Sequence, residues 1–174
     1  MLREYVEEDW PAVLAYQSKS DYLVYYPWSE RSERDVREFV SGLIAWQREE
    51  PRYRFQLAIT LPEDGRLIGS CGIRKQSPTS RVADIGYELD PAFWGRGYAT
   101  EAAREMVSLG FGELGVHRVW SWIIAENRRS ARVLERLGLR VEGRLRDHEW
   151  FKGRWWDHEL YGLLAEEWQG ARGV

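Results

Sequence analysis

The sequence is poor in the residues that build disulfide frameworks and metal clusters. One cysteine, Cys71, and three histidines stand among 174 residues, and the histidines lack the spacing of zinc ligands. A single cysteine forms no intramolecular disulfide and supplies no thiolate cluster. We therefore expect no metal site and a reducing compartment.

Long apolar runs and a strong net charge are also absent. No stretch approaches the roughly 20 apolar residues of a membrane-spanning helix, and the first ten residues hold no apolar signal-peptide core. The 25 Lys and Arg nearly balance the 28 Asp and Glu, so a net charge of −3 argues against general binding to nucleic acid or anionic membranes. We expect a soluble, cytoplasmic protein with neither kind of partner.

The length and the apolar content predict one domain over residues 1–174. A chain of this size with 44% hydrophobic residues buries one core of ordinary size and has no linker-like segment. Aromatic residues are abundant, at 14% with ten Trp. Such a content exceeds what a core of this size needs, which suggests a further use for the rings.

Hydrophobic spacing predicts a mixed α+β fold, with helices packed on the faces of a sheet. In the first half, the expected elements are a strand at residues 2–5, a helix to about residue 17, a loop or sheet edge over 21–29, a helix that begins at Ser32 and ends before Pro51, a hairpin of strands 53–61 and 67–74, and a strand at 82–89. In the second half, they are a helix from Gly97 to about residue 114, a strand at 119–124, a helix at 127–137 closed by Gly138, a strand at 139–146, a turn at 151–154 and a last strand at 155–164.

The segment from Phe93 to Ala102, read Phe-Trp-Gly-Arg-Gly-Tyr-Ala-Thr-Glu-Ala, carries the most informative chemistry. Two glycines at the start of a helix let the backbone approach a ligand, and the free amides there favour an anion such as phosphate. A Walker A loop would need Gly-Lys-Ser/Thr, and a dinucleotide fingerprint would need a third Gly where Thr100 stands. Neither pattern fits.

The same segment resembles the acetyl-CoA pyrophosphate loop of the GNAT N-acetyltransferase superfamily. The motif Gln/Arg-x-x-Gly-x-Gly/Ala corresponds here to residues 94–99, with Trp94 where the general motif has Gln or Arg. Two further pieces, Ile-Gly-Tyr-Glu-Leu at residues 85–89 and Asn127-x-x-Ser130 before Leu137-Gly138, resemble the RimJ/RimL branch, which acetylates ribosomal-protein N-termini.

The resemblance implies a GNAT fold, a mostly antiparallel sheet with one splayed strand pair and helices on both faces. The gap between the splayed strands would take the pantetheine of acetyl-CoA, the expected co-substrate. The implied contacts to acetyl-CoA are Glu88, Leu89, Trp94, Gly95, Arg96, Gly97, Tyr98, Ala99, Thr100, Asn127 and Ser130.

Acetyl transfer to an amine also requires proton handling, because an alkylammonium with a pKa of about 10 must lose a proton and a thiolate must be released. By the resemblance, Ser130 is the acid and Glu149 the base. Cys71 lies in an apolar strand and is expected to be a buried core residue, so we expect direct transfer in a ternary complex rather than through an acyl-enzyme.

Two aromatic segments, at residues 22–28 and 150–156, are candidates for the acceptor site. Tyr26, Trp28 and Trp150 are the residues expected to contact an amine, since ring faces attract cations. Packing or a homodimer interface explains the same rings equally well. The acceptor itself stays open between a protein N-terminus, a polyamine, an aminoglycoside-like compound and an amino acid, and a catalytically silent acyl-CoA sensor is the alternative function.

Overall fold

The computed structural model describes residues 1–168. The predicted domain also includes residues 169–174, which lie outside the described part. The helices are α1 (Trp10–Gln17), α2 (Ser20–Leu23), α3 (Glu33–Trp46), α4 (Tyr98–Phe111) and α5 (Arg128–Arg136). The strands are β1 (Leu2–Arg3), β2 (Arg54–Thr60), β3 (Leu67–Lys75), β4 (Val82–Leu89), β5 (Arg118–Ile124), β6 (Arg140–Phe151) and β7 (Arg154–Leu164).

Local sequence signals set the helix ends. The Ser32 hydroxyl accepts a hydrogen bond from the Asp35 amide, and the Asp35 carboxylate accepts one from the Ser32 amide. This reciprocal pair is a capping box that starts α3. The Asn127 side chain accepts the Ser130 amide at 3.2 Å and caps α5. Gly138 follows α5 with a φ of 92°, a conformation that favours glycine.

The seven strands form one sheet in the order β1-β2-β3-β4-β5-β7-β6. Neighbouring strands are antiparallel except β4 and β5, which run parallel. These two pair only through Val82–Arg118, Ala83–Val119 and Asp84–Trp120. Beyond Asp84 they separate, and we call the opening between residues 85–89 and 121–124 the seam. The GNAT-like architecture expected from the sequence is confirmed, including the splayed pair.

Helices cover both faces of the sheet, and each face has its own core. On one face, which we call the α4–α5 face, Met106 and Leu134 pack with Ile73 and Ile85. On the other, the α1–α3 face, Val13 and Val40 pack with sheet residues of β2 and β3. The seam therefore connects two faces of the sheet that are covered by different helices and different side chains.

Four predicted elements differ from the structure, two of them only in length: the first strand ends at Arg3 and not at Tyr5, and α4 ends at Phe111 and not near residue 114. The expected loop at 21–29 is wrong at its start, because Ser20–Leu23 forms one helical turn before the chain reaches Pro27. The strand expected to end at Arg146 runs on to Phe151, with an irregular register between Leu145 and Glu149. Among the described residues, no helix is long and apolar enough to cross a membrane.

Candidate active site

The turn before α4 presents unpaired backbone amides. Gly95 and Gly97 have φ values of 76° and 90°, a left-handed conformation that side chains rarely adopt. Gly97 supplies no side-chain cap, and the first helical hydrogen bond runs from the Glu101 amide to the Gly97 carbonyl at 3.0 Å. The amides of residues 98–100 precede that bond and have no acceptor within the helix. Together with the helix dipole they form an anion-binding end.

Trp94 fastens this turn to the sheet. Its indole N–H donates to the Leu89 carbonyl at 2.8 Å, and the Arg129 guanidinium lies 4.7 Å from the centre of its ring. Trp94, which replaces the Gln or Arg of the motif, therefore uses its side-chain donor in a hydrogen bond to the protein's own backbone. Arg96 is exposed beside the Phe93 ring, and its guanidinium is available to a phosphate.

The edge of β4 that faces the seam has backbone groups without a strand partner. The Asp90 amide donates to Ile68 of β3 at 2.8 Å, so the alternation of a strand turns the preceding Leu89 amide to the opposite edge. The carbonyl of Leu89 lies at that edge as well, where it accepts from Trp94. An extended ligand in the seam meets donors and acceptors like those of a neighbouring strand.

Tyr87 and Ser130 meet on the α4–α5 face of the seam. The Tyr87 hydroxyl donates to the Ser130 carbonyl at 2.8 Å and lies 3.0 Å from its Oγ. Burial raises the pKa of Tyr87, so this phenol keeps its proton. Asn127 uses its side-chain oxygen to cap the helix, which leaves its amide group as a donor. Two hydroxyls and an amide thus converge where β4 faces α5.

Glu88 points the other way, into the α1–α3 face. Its carboxylate accepts from the Tyr16 hydroxyl at 2.5 Å, from Gln17 Nε2 at 3.0 Å and from the Tyr22 hydroxyl at 2.5 Å. Burial, and then the Glu88 charge, raise the pKa of both tyrosines. These donors are neutral groups, and no Lys or Arg forms an ion pair with Glu88 among the described residues.

The aromatic residues near Glu88 form a stack. Tyr22 and Tyr26 have ring centres 4.7 Å apart, and Tyr26 and Trp28 have ring centres 4.8 Å apart. The stack leads from buried Tyr22 to Trp28, which is exposed. Two of the predicted acceptor residues, Tyr26 and Trp28, therefore share one surface with the Glu88 carboxylate.

The β6–β7 hairpin contacts the end of α2 and the residues that follow it through one ring pair and one hydrogen bond. Tyr25 lies edge-on to Trp156 at 6.0 Å, and Lys152 Nζ donates to the Leu23 carbonyl at 2.6 Å. Trp150 pairs with Trp155 in the register and is 57% exposed. Because neighbouring residues of a strand alternate, it lies on the opposite face of the hairpin from Trp156. The structure does not bring Trp150 together with Tyr26 and Trp28.

Glu149 lies beside a buried histidine. It is opposite Trp156 in the register, and its Oε2 is 3.2 Å from Nε2 of His158. The Glu149 side chain is 44% exposed, whereas His158 is 6% exposed. The rings of His148 and Trp122 complete the cluster, at 4.8 and 5.0 Å from the His158 ring centre.

Comparison with known proteins identifies the family. A family model for the acetyltransferase (GNAT) domain matches residues 1–140. The chain belongs to the GNAT acetyltransferase family. It is 31% identical over 168 residues to the uncharacterized N-acetyltransferase YnaD of Bacillus subtilis, covering 97% of this chain and 95% of the relative.

Other matches agree with the GNAT assignment. A crystal structure of a GNAT-family acetyltransferase from Bacillus anthracis is 31% identical, with a TM-score of 0.82 and 95% of each chain covered. The [ribosomal protein uS5]-alanine N-acetyltransferase of Escherichia coli is 30% identical over 119 residues, which cover 68% of this chain and 61% of that protein. The RimJ/RimL-like resemblance is confirmed, and the chain is an N-acetyltransferase.

The residues present fit acetyl-CoA, the co-substrate of a GNAT enzyme. A diphosphate matches the free amides at the start of α4, and an extended pantetheine arm matches the open backbone edge of β4. These backbone groups can bind an anion at the start of α4 and the amide groups of a ligand along β4. No group of three or more His, Cys, Asp or Glu side chains among residues 1–168 is arranged to hold a metal ion.

Three features of the site escaped the sequence reasoning. Glu88 was expected to contact acetyl-CoA, and its side chain binds three donors on the α1–α3 face. The Tyr87 hydroxyl forms a hydrogen bond with Ser130, and the His158 ring lies against the Glu149 carboxylate. Strand alternation pointed to the opposite directions of Tyr87 and Glu88, but the partners of each side chain depend on packing between distant segments.

Proposed function

We propose that this enzyme transfers the acetyl group of acetyl-CoA directly to a primary amine while both substrates are bound. The observation that carries the proposal is the pair Tyr87 and Glu88. These neighbours on β4 turn to opposite faces at the seam, one toward Ser130 and the other toward the tyrosine surface. A thioester held in the seam is then within reach of groups on both faces.

On the α4–α5 face, the chain holds acetyl-CoA. Gly95 to Thr100 supply amides to the diphosphate, with the Arg96 guanidinium beside them, and the pantetheine lies along β4 and next to Asn127. Acetyl-CoA supplies an activated acyl group with a thiolate as leaving group. The Leu89 amide stabilises negative charge on the carbonyl oxygen, in the manner of an oxyanion hole.

Ser130 assists the departing thiolate. Because the Tyr87 hydroxyl donates to the Ser130 carbonyl, Ser130 is the donor in the 3.0 Å contact between the two hydroxyls, and rotation of its hydroxyl turns that proton to the thiolate. The raised pKa of Tyr87 keeps the supporting phenol neutral. Ser130 is therefore the proposed acid, and Tyr87 holds it in place.

On the α1–α3 face, the acceptor lies between Glu88 and Glu149. Glu88 attracts the ammonium, since within residues 1–168 its carboxylate accepts hydrogen bonds only from neutral donors. Tyr26 and Trp28 offer ring faces to the carbon chain or the cation. Glu149 takes the ammonium proton before attack. Trp150 would contact only an acceptor long enough to reach around the edge strand β6, such as a protein N-terminus.

Direct transfer is favoured by the state of the sole cysteine. Cys71 is fully buried, and burial raises the pKa of its thiol to about 12. At pH 7 the thiol is therefore protonated, and the thiolate is the nucleophilic form of cysteine. An acyl-enzyme on Cys71 is thereby disfavoured.

The test is a panel of amines and peptides, assayed by thiol release from acetyl-CoA. Glu149→Gln is expected to reduce kcat by about 10²-fold or more with little change in the KM for acetyl-CoA, because proton acceptors contribute about that factor. Glu38→Gln, an exposed charge on α3, is the matched control. Unchanged kcat in Glu149→Gln would remove Glu149 as the base. Binding of acetyl-CoA without transfer to any amine would favour the acyl-CoA sensor.

A further inference from the structure

Arg31 is a cation on the acceptor side of the sheet that has no carboxylate partner. It is half-buried just before α3, and within residues 1–168 it forms no ion pair. The Asp35 carboxylate, four positions on, accepts instead from the Ser32 amide and hydroxyl, at 3.1 and 2.7 Å. A guanidinium presents a planar fork of donors that matches a carboxylate. Arg31 is therefore available to bind an anion from outside the chain.

A buried side-chain amide connects Arg31 to Glu88. Gln17 is 3% exposed, and its Nε2 donates to the Glu88 carboxylate at 3.0 Å. Its Oε1 accepts from Nε of Arg31 at 3.1 Å. The two neighbours fix the orientation of this amide, since the opposite orientation would place its NH2 group against the guanidinium and its oxygen against the carboxylate. Gln17 thus holds a negative and a positive group close together without letting them form an ion pair.

The aromatic stack of Tyr22, Tyr26 and Trp28 ends at the same cation. The guanidinium carbon of Arg31 lies 5.2 Å from the centre of the Trp28 ring. Burial and then the Glu88 charge raise the pKa of Tyr26, whereas the Arg31 charge opposes that rise, so both charges act on this ring. A second cation from a ligand would be repelled beside Trp28. The acceptor surface therefore has a negative end at Glu88 and a positive end at Arg31.

We propose that the acceptor is a zwitterion, whose ammonium binds at Glu88 and whose carboxylate binds at Arg31. This inference rests on the proposed function. Nε of Arg31 is bonded to Gln17 and Nη2 is 3.5 Å from the Asp35 carbonyl, while Nη1 has no hydrogen bond within the described residues. Nη1 can therefore donate to a carboxylate.

The spacing of the two charged ends limits the class of acceptor. Only one amide group separates Glu88 from Arg31, so the two charges of the acceptor are a few bonds apart. A free amino acid has this arrangement, and so does a peptide N-terminus that begins with an acidic residue. A polyamine, which would bring a second ammonium to Arg31, is disfavoured.

The test uses pairs of acceptors that differ in one carboxylate. Alanine and alaninamide represent a free amino acid, and two peptide amides that begin with aspartate or asparagine represent a protein N-terminus. The ratio of kcat/KM for the acid to that for its amide is measured in the wild type and in Arg31→Gln. Comparing the two enzymes cancels the difference in amine pKa within a pair. The ratio is expected to fall about 10- to 100-fold in the variant, the range of one hydrogen bond to a charged group.

The pair that shows the fall identifies the source of the carboxylate. The change should lie in the acceptor KM, because Arg31 binds a group that takes no part in the bond changes. Arg31→Lys keeps the charge without the fork and should retain part of the ratio. Arg31→Glu should raise kcat/KM for 1,4-diaminobutane. Arg34→Gln, an exposed arginine of α3, is the matched control and should leave the ratios unchanged.

Two kinetic results would overturn the zwitterion. One is an equal ratio in the wild type and Arg31→Gln for both pairs, and the other is a wild-type preference for 1,4-diaminobutane over both acids. Calorimetry on the enzyme saturated with CoA measures acceptor binding without transfer. Alanine or the aspartyl peptide should bind about 10-fold or more tightly to the wild type than to Arg31→Gln, and equal affinities refute the site. Absence of transfer to every amine would refute the proposed function, and the calorimetry would still decide the inference.

Discussion

Replacing Gly97 with alanine tests whether the turn before α4 holds the diphosphate of acetyl-CoA. The residue has a φ of 90°, and a Cβ built there meets no atom within 4 Å. The cost is therefore backbone strain and not a clash, about 1–2 kcal/mol for a residue other than glycine in this region. Relaxation to a negative φ would turn the amides of α4 away from the ligand.

If binding must restore the original conformation, the affinity for acetyl-CoA falls by up to about 5- to 30-fold. The assay is thiol release as a function of acetyl-CoA concentration, alongside thermal unfolding. Gly115→Ala is the matched control, because Gly115 also has a positive φ, 59°, and open space around its Cβ, but lies at the far end of α4. Equal acetyl-CoA KM values in the two variants would refute the assignment of the turn.

Two further substitutions separate chemistry from stability. Cys71→Ala should retain wild-type kcat per folded molecule and intersecting initial-velocity lines, because the thiol is buried and protonated; loss of transfer with an intact fold would argue for an acyl-enzyme. Ser32→Ala removes the hydroxyl that caps α3 and should cost about 0.5–2 kcal/mol, near 2–4 °C in Tm per kcal/mol, with kcat unchanged. Ser41→Ala, exposed within α3, is its control, and an equal Tm change in both would contradict the cap.

Most of the fold could be predicted because its signals are local. The stripe of small and apolar residues in α4, the Asn127 cap and the positive φ of Gly138 all depend on neighbours within a few positions. The same holds for the capping box of Ser32. The seam required the family resemblance, since no local pattern marks where two parallel strands part.

The end of β6 could not be predicted, because distant residues decide it. Residues 140–150 of this edge strand are mostly exposed and lack an apolar alternation, so periodicity gave no reason to continue beyond Arg146. The bulge depends on the Asp157 carboxylate, which binds the Asp147 amide. The contact between Glu149 and His158 follows from that register.

The candidate site was predictable only in part for a similar reason. The roles of the glycine turn and of Asn127 follow from short local motifs. The three donors to Glu88, in contrast, come from residues about 70 positions away in the sequence. Trp94 has a hydrogen-bonding role that its side-chain type did not suggest.

The seam also changes where this sheet exposes an unpaired strand edge. Unpaired strand edges normally lie at the rim of a sheet, where another chain can pair with them. Here one rim strand, β1, has two residues and the other, β6, is rich in charge, while a long unpaired edge lies in the interior, along β4. That edge faces the seam between β4 and β5 instead of the rim of the sheet. The hydrogen-bonding groups of a free strand edge thus occupy an interior position of this sheet, away from the rims at which chains usually pair.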